Sequence, residues 1–316
     1  MGSGEDDDDD DNEITNIKEF IEEYPAFGIT LLVATIVCLL YVAIRSYRHL
    51  KLLESRPPSQ RRTYYYVISS FPLVIAFYCL CVVLSPRLSV WFEVVRETWF
   101  SVTLLYFGWL LIDLAGGEFA MVKELSSAGE QHWWNIPPCG CLITPCSKPT
   151  TFSRKTLVNC QLMLVQYIVI VPCLALAEAI NLAAQRYRAS GTLYFLAALV
   201  VVSSLISLQG LAVLLSALKT YMDDYQIPQK VRSIAGMIFL IIVQPAIILL
   251  LGFFCSPDRH AFSVKAWATL CNCCLLLIEL IPLYEYTASA YPHSELEDDE
   301  AMPLVTPKNP ADNSGY

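Results

Sequence analysis

WLLIDLAGGEF (residues 109–119), NIPPCGCLITPC (residues 135–146) and VQYIVIVP (residues 165–172) together decide the fold of this chain. The chain passes here from one apolar run, through a loop rich in proline and cysteine, into a second apolar run. A helix needs about 20 mostly apolar residues to cross a bilayer, and both runs approach that length. We therefore predict two membrane-spanning helices joined by a loop outside the hydrocarbon layer.

The composition of the whole chain is that of a membrane protein. Its 316 residues are 55% apolar and 16% charged, with a mean hydropathy of +0.47. A soluble domain carries about 25% charged residues, whereas surfaces that face lipid cannot carry charge. Much of the net charge of −9 comes from two acidic segments, residues 5–11 and 295–300. The chain has no basic stripe and no nucleic-acid-binding motif, so we predict no nucleic-acid partner.

Apolar runs recur along the chain. They cover residues 27–44, 64–84, 99–115, 157–180, 193–218, 234–254 and 267–284. Each is near the length of a bilayer-spanning helix, so we predict an all-α membrane protein with seven transmembrane helices. The third run is the weakest, because Glu93, Arg96 and Glu97 precede it, although residues 88–95 are apolar enough to extend that helix. No lysine or arginine lies inside the seven runs.

The runs also set the domain boundaries. Residues 27–290 form the predicted seven-helix domain, which includes a cysteine-rich loop at residues 116–156. Residues 1–26 and 291–316 are predicted as disordered tails, because acidic segments poor in apolar residues cannot bury a core. The protein is therefore expected to be an integral multi-pass protein of the plasma membrane or of an endomembrane.

Lysine and arginine fall unevenly on the two sides of the predicted membrane. Seven spans place the termini on opposite sides, and the loops and tails then divide into one set with 14 basic residues and one with 7. Basic residues concentrate on the cytosolic side of membrane proteins. We therefore predict an N-terminus that faces outside or the lumen, a cytosolic C-terminus and a cytosolic cysteine-rich loop.

Three carboxylates lie within the predicted spans. A charge at the centre of a membrane helix costs at least about 2.5–3.5 kcal/mol on insertion scales, so such residues usually face the bundle interior. Asp113 and Glu178 lie near the ends of their runs, where a carboxylate can also reach the headgroups. Glu279 lies deeper in the last run, where it predicts either a functional polar site or a hydrogen bond between helices.

Uncharged polar side chains recur in the spans as well. They include Gln166, Tyr167, Ser203, Gln209, Gln244 and Asn272. Such groups commonly form hydrogen bonds between helices, but beside a proline-induced kink they can also line a cavity. Gln244 precedes Pro245, which removes a backbone donor and predicts a kink there. Together with Asp113 and Glu279, these six residues are the predicted solute path.

The cysteines of the loop have two interpretations. Cys139, Cys141 and Cys146 could form a zinc site with His132, but the C-x-C-x₄-C spacing lacks the usual paired C-x₂-C motifs. Cysteines close to a membrane are also common palmitoylation sites. We predict lipidation of these thiols, with membrane lipids as partners, and no metal and no cofactor. No nucleophile with a matching base is recognisable, so we predict that the protein is not an enzyme.

Five motifs, in their order and spacing, resemble the organic solute transporter subunit alpha family, within a broader group that includes the transmembrane protein 184 relatives. They are GGEFAMVKEL (116–125), PPCGCLITPC (137–146), LVQYIVIVP (164–172), IVQPAI (242–247) and CNCCLLLIEL (271–280). The resemblance covers all seven runs and neither tail. The cysteine cluster has three thiols, fewer than in vertebrate alpha subunits.

The resemblance implies a seven-span protein with an outward N-terminus, in agreement with the distribution of charge. It also implies facilitated diffusion of amphipathic solutes such as bile acids and steroid or sterol-like conjugates, together with a single-span beta subunit or a second copy of the chain. A membrane scaffold or trafficking protein is the alternative, because EDDEAMPLV (residues 297–305) resembles an acidic dileucine-type sorting signal. A seven-helix receptor is less favoured, because the predicted outer loops offer only Cys255 for a disulfide.

Overall fold

The computed structural model describes residues 25–85, 88–127, 129–136, 149–185, 191–218, 226–255 and 264–296. The helices are α1 (Pro25–Glu54), α2 (Gln60–Leu84), α3 (Ser89–Leu114), α4 (Gly117–Ser127), α5 (Arg154–Gln185), α6 (Gly191–Ala217), α7 (Ile227–Ile238), α8 (Gln244–Cys255) and α9 (Val264–Ala290). The strands β1 (Glu130–Gln131) and β2 (Thr150–Thr151) precede α5, and a π-helical turn (Phe239–Val243) joins α7 to α8.

These helices confirm the predicted all-α membrane fold. Six of the helical segments are long and apolar enough to cross a membrane, and α3 with α4 gives a seventh if that bent pair is one span. Large apolar side chains on the outer faces are exposed, for example Val37 at 60%, Leu162 at 58% and Ile278 at 72%. Such faces suit contact with lipid chains, which exert no penalty on apolar surface.

Two glycines produce the sharpest bend in the bundle. Gly116 and Gly117 have φ values of +83° and +90°, a region that is costly for residues with a Cβ atom. They end α3 and redirect the chain, so that α4 makes an angle of 66° with α3. The predicted cysteine-rich loop therefore begins with a helix that leaves the bundle direction.

The helices pack in a consistent order. Helices α1, α2, α3, α5 and α6 each pack against the next, and α9 packs against α1, α2, α7 and α8. Helices α5 and α6 approach closely at Gly210, where an added Cβ would lie 3.0 Å from the Cys160 carbonyl oxygen. Within the described residues, α6 does not pack closely against α8.

The loop end of the bundle is defined here as the end that carries β1, β2 and the start of α5. The strands pair antiparallel, with Glu130 opposite Thr151, and the indole of Trp133 donates to the Thr150 carbonyl at 3.0 Å. Cys139, Cys141 and Cys146 lie outside the described residues, so their predicted lipidation stays a prediction. The opposite end, which carries the starts of α3 and α9, is called the far end.

The segment after α9 is held against the loop end. Tyr291 and Leu296 fall within the region predicted as a tail, yet both are buried. Glu295 accepts hydrogen bonds from the Lys230 ammonium at 2.8 and 3.0 Å and from the Tyr65 hydroxyl. The bundle therefore extends beyond the predicted boundary at residue 290, while residues 297–316 lie outside the described residues.

The chain is irregular where a kink is predicted. The backbone N–H of Gln244 donates to the Phe239 carbonyl, five residues back, and so closes a π-helical turn. Pro245 follows and has no N–H to give to the carbonyl of Ile241. The predicted break at Gln244-Pro245 therefore occurs as a widened turn, a feature that is frequent at functional sites.

Candidate functional site

A cavity of about 300 Å³ lies in the far half of the bundle. Its volume is at the lower end of the range of about 300–1,000 Å³ that ligand pockets occupy. Helices α2, α3, α5, α6, α8 and α9 and the π-helical turn contribute residues to it. The lining consists of Tyr78, Val90, Glu93, Arg96, Glu97, Tyr167, Val171, Ala175, Glu178, Val200, Val201, Ser204, Ile241, Ile242, Pro245, Ala246, Ala268, Thr269 and Asn272.

Most of the wall is apolar. Small or branched side chains come from α5, α6, the π-helical turn, α8 and α9, as represented by Val171, Val200, Ile242, Ala246 and Ala268. Such a surface favours the apolar part of a ligand at about 25 cal/mol for each Å² removed from water. The polar groups come mainly from α3, with others from α2, α5, α6 and α9. The cavity is therefore amphipathic, with an extended apolar wall and a polar side.

Arg96 is the main feature of the polar side, and sequence reasoning missed it. The predicted third span began at residue 99, but α3 begins at Ser89, which places Arg96 inside the bundle and only 6% exposed. Arg96 and the buried Phe100 and Phe107 recur at helical spacing and share the inner face of α3. The sequence feature that could have revealed Arg96 was the apolar character of residues 88–95, which already allowed a longer third helix.

The surroundings of Arg96 fix its guanidinium group. Its Nη2 atom donates to Glu97 Oε1 at 2.7 Å. The guanidinium carbon lies 4.8 Å from the centroid of the Tyr78 ring, a distance at which a cation–π interaction contributes. Arg96 is therefore held by a carboxylate and an aromatic ring.

Carboxylates outnumber basic groups in the cavity. Glu93, Glu97 and Glu178 line it, and Arg96 is the only lysine or arginine among the lining residues that the structure describes. Glu93 and Glu97 both interact electrostatically with Arg96, and Glu178 interacts with Glu97. Among the lining residues that the structure describes, three carboxylates therefore accompany one guanidinium.

Several buried polar atoms of the lining have no hydrogen-bond partner within the described part of the chain. They are the Tyr78 hydroxyl, Arg96 Nε and Asn272 Oδ1. A buried donor or acceptor without a partner costs about 1–3 kcal/mol, so native structures rarely keep such groups without a reason. Their location around one cavity indicates a site that can hydrogen-bond a ligand.

Three of the predicted solute-path residues lie at or beside the cavity. Tyr167 and Asn272 line it, and the Ser204 hydroxyl is 3.5 Å from the Tyr167 hydroxyl. Gln244 directly precedes the lining residue Pro245, is buried, and has both amide atoms without a partner among the described residues. The structure therefore brings side chains of α5, α8 and α9 to one region.

The other predicted residues lie elsewhere. Gln166 and Ser203 bond to each other between α5 and α6, with the Ser203 hydroxyl 3.0 Å from Gln166 Oε1. The Gln209 amide donates to the Trp134 carbonyl at 3.3 Å, and Asp113 accepts from Arg61 Nε at 2.8 Å at the loop end. Glu279 is not in the cavity lining, although its Oε2 is buried without a partner in the described residues.

Within the described ranges, no group of three or more His, Cys, Asp or Glu side chains could hold a metal ion. The three cysteines of the zinc alternative lie outside those ranges, so this result does not apply to them.

Comparison with known proteins gives one match. The sequence model of the family described as "Organic solute transporter Ostalpha" matches residues 29–296. This range contains every residue that lines the cavity. Searches of curated proteins and of solved structures give no match.

Proposed function

The chain belongs to the organic solute transporter alpha family, and from this premise we propose that it carries amphipathic organic solutes across a membrane by facilitated diffusion. The family is one of transporters, which supports a transport role and gives no reason to expect an enzyme. The proposed solutes have a steroid-like apolar body and a polar end, as in bile acids or steroid and sterol-like conjugates.

The observation that carries this proposal is the amphipathic cavity. Its apolar wall, represented by Val171, Val200 and Ile242, suits a rigid apolar body. The polar side includes atoms of Tyr78, Arg96 and Asn272 that have no hydrogen-bond partner among the described residues, and it suits one polar group. Ligand sites commonly combine a mostly apolar lining with a few polar groups that fix orientation.

A partner is also proposed. The family resemblance implies a single-span beta-type subunit, and a second copy of the chain is the other candidate. Spans α1 and α5 are among the least buried within the bundle, so they offer apolar surface to another helix. Co-purification of the full chain from a membrane, followed by identification of bound single-span proteins, tests this part of the proposal.

The transport proposal is tested by uptake of a labelled steroid conjugate into cells that express the chain, with and without a candidate beta subunit. Ala175→Phe places a ring in the cavity, whereas Ala235→Phe is a matched change on an exposed face of α7. We expect saturable uptake that falls by about tenfold or more in Ala175→Phe, the ratio that corresponds to a loss of about 1.4 kcal/mol. Ala235→Phe should transport normally.

Equal uptake by Ala175→Phe and the wild type would show that solutes do not pass through the cavity. Absence of uptake in every condition would overturn the transport proposal and favour the scaffold or trafficking alternative. Deletion of residues 297–305, which lie outside the described residues, would then be followed by fluorescence microscopy. A changed membrane location would support the sorting signal.

A further inference from the structure

We propose that a groove between α1 and α2 at the loop end binds phosphatidylethanolamine from the surrounding bilayer. The groove has a volume of about 250 Å³ and is lined by Ala43, Tyr47, Leu50, Lys51, Glu54, Tyr66 and Leu73. Among the described residues, none lines both this groove and the cavity of the candidate functional site. The inference therefore concerns a second site and goes beyond the proposed transport function.

The α1 side of the groove changes from apolar to charged along the helix. The α1 residues of the lining recur at intervals of one to four residues and share one face of that helix. Ala43 lies at the end of the apolar run 27–44, whereas Lys51 lies eight residues further on. That separation is about 12 Å at the rise of an α-helix. It leads from the hydrocarbon layer of a bilayer into the headgroup layer.

Helix α2 shows the same gradient on the other side of the groove. Leu73 lies at the deep end, and Tyr66 lies seven residues closer to the start of α2, near the loop end. Tyr66 and Tyr47 are 46% and 66% exposed. Tyrosine is enriched at the membrane–water interface, because its ring is apolar and its hydroxyl is polar. The groove therefore offers apolar side chains at acyl-chain depth, tyrosines at glycerol depth and charges at headgroup depth.

The two charges in the groove suit a headgroup that is itself zwitterionic. Lys51 and Glu54 are three residues apart on α1, so they are neighbours on the helix surface, with Cβ atoms about 5–6 Å apart. The Lys51 ammonium also lies 5.9 Å from the centroid of the Tyr47 ring. Phosphatidylethanolamine carries a phosphate and a primary ammonium joined by two carbons. Its phosphate can accept from Lys51 while its ammonium donates to Glu54, and both are charge-assisted hydrogen bonds.

Other common headgroups match this pair of charges less well. The quaternary ammonium of phosphatidylcholine has no N–H to donate to Glu54. Phosphatidylglycerol has no cation at all, so its phosphate would meet Lys51 but leave Glu54 without a counter-charge. The volume of about 250 Å³ lies just below the range of about 300–1,000 Å³ for ligand pockets. It suits a headgroup and glycerol, with the acyl chains left in the bilayer.

The test measures lipid binding to the purified full-length chain in neutral detergent by native mass spectrometry. Phosphatidylethanolamine, phosphatidylcholine and phosphatidylglycerol with identical acyl chains are titrated separately. We expect phosphatidylethanolamine to bind with a dissociation constant about threefold to fivefold lower than either of the others, a ratio that one partly exposed ion pair supports.

Two variants separate the roles of the two charges. Lys51→Gln should weaken binding of all three lipids, since each carries a phosphate. Glu54→Gln should reduce the preference for phosphatidylethanolamine over phosphatidylglycerol and leave phosphatidylcholine binding unchanged. Lys123→Gln and Glu124→Gln are the matched controls, because both residues are exposed on α4 at the loop end and outside the groove. Thermal unfolding of each variant checks that the bundle is intact.

Equal binding of the three lipids, or a preference that is unchanged in Glu54→Gln, would overturn the inference and indicate non-specific contact with bilayer lipid only. Stronger binding of phosphatidylglycerol would identify an anionic lipid as the occupant and would overturn the assignment to phosphatidylethanolamine. These results are independent of the uptake experiment. Failure of this inference leaves the transport proposal in place, and absence of uptake leaves this inference in place.

Discussion

The two ends of the bundle bury charge in different ways. At the loop end, the side chain of Lys230 is 0% exposed, and it pairs with Glu295 at 2.8 Å. Its ammonium also lies 5.6 Å from the centroid of the Tyr65 ring and 5.9 Å from that of Tyr291. At the far end, Arg96 pairs with Glu97, but polar atoms around it have no partner among the described residues.

This difference separates a structural network from a binding site. A buried polar network whose members are all paired makes the packing specific, whereas one that is partly paired is costly. The loop end fixes the segment after α9 against α2 and α7 through Glu295. Around Arg96, by contrast, polar atoms that have no partner among the described residues line a cavity, a departure from complete pairing that is expected at functional sites.

Lys230→Ala tests the loop-end network and should have the largest effect on stability. Removal of one member of a buried ion pair leaves the other charge uncompensated, which typically costs about 3–5 kcal/mol. We expect the midpoint of thermal unfolding in detergent to fall strongly. Lys155→Ala is the control, since Lys155 is exposed at the start of α5. A midpoint equal to that of the control would show that the loop-end network is not structural.

Asn272→Leu tests the polar side of the cavity at the far end. Here we expect stability to increase, in contrast to Lys230→Ala. Leucine has a similar branched shape and removes a buried acceptor that has no partner among the described residues, so the free energy of unfolding should rise by about 1–2 kcal/mol. Steroid binding should weaken in the same variant, because the polar side loses an acceptor. Thermal unfolding and ligand binding, measured on the same preparation, test this. Loss of stability with unchanged binding would mean that Asn272 supports packing and not the ligand.

Asp113→Asn tests a partly exposed pair at the loop end and should have the smallest effect. The Asp113 and Arg61 side chains are 31% and 13% exposed, and solvent screens their attraction. We expect a loss of about 0.5–1 kcal/mol or less, and a smaller one at high salt. Glu285→Gln, in the more exposed pair with Arg45 at 2.8 Å, should show no measurable change. A loss as large as that of Lys230→Ala would contradict this ranking of the pairs by exposure.

Hydropathy predicted the helices well but misplaced the start of α3. The charges of Glu93, Arg96 and Glu97 interrupt the apolar pattern, so the predicted span began at residue 99 and not at Ser89. Those three side chains face the cavity. Hydropathy averaged along the chain does not distinguish a charge that faces the bundle interior from a charge in water. The seven apolar runs hold no lysine or arginine, whereas α3 as observed contains Arg96.

The partners of the polar residues within the spans did not follow from the sequence. Gln166 and Asn272 are both amides within apolar runs, but Gln166 bonds to Ser203 on α6, whereas Asn272 Oδ1 lacks a partner in the described residues beside the cavity. Asp113 pairs with Arg61, which lies 52 residues earlier in the chain. Such pairings depend on how helices rotate against one another, and hydropathy does not encode that rotation.

The π-helical turn sets which side chains between α7 and α8 face the cavity. Each residue of an α-helix turns the chain by about 100° around the axis. If the turn that Gln244 closes on Phe239 moved by one residue, Ile241 and Ile242 would present different faces to the cavity. Only a few hydrogen bonds would exchange, while α7 and α8 kept their contacts with α9. The register of this one turn therefore determines which side chains of the span form the cavity wall.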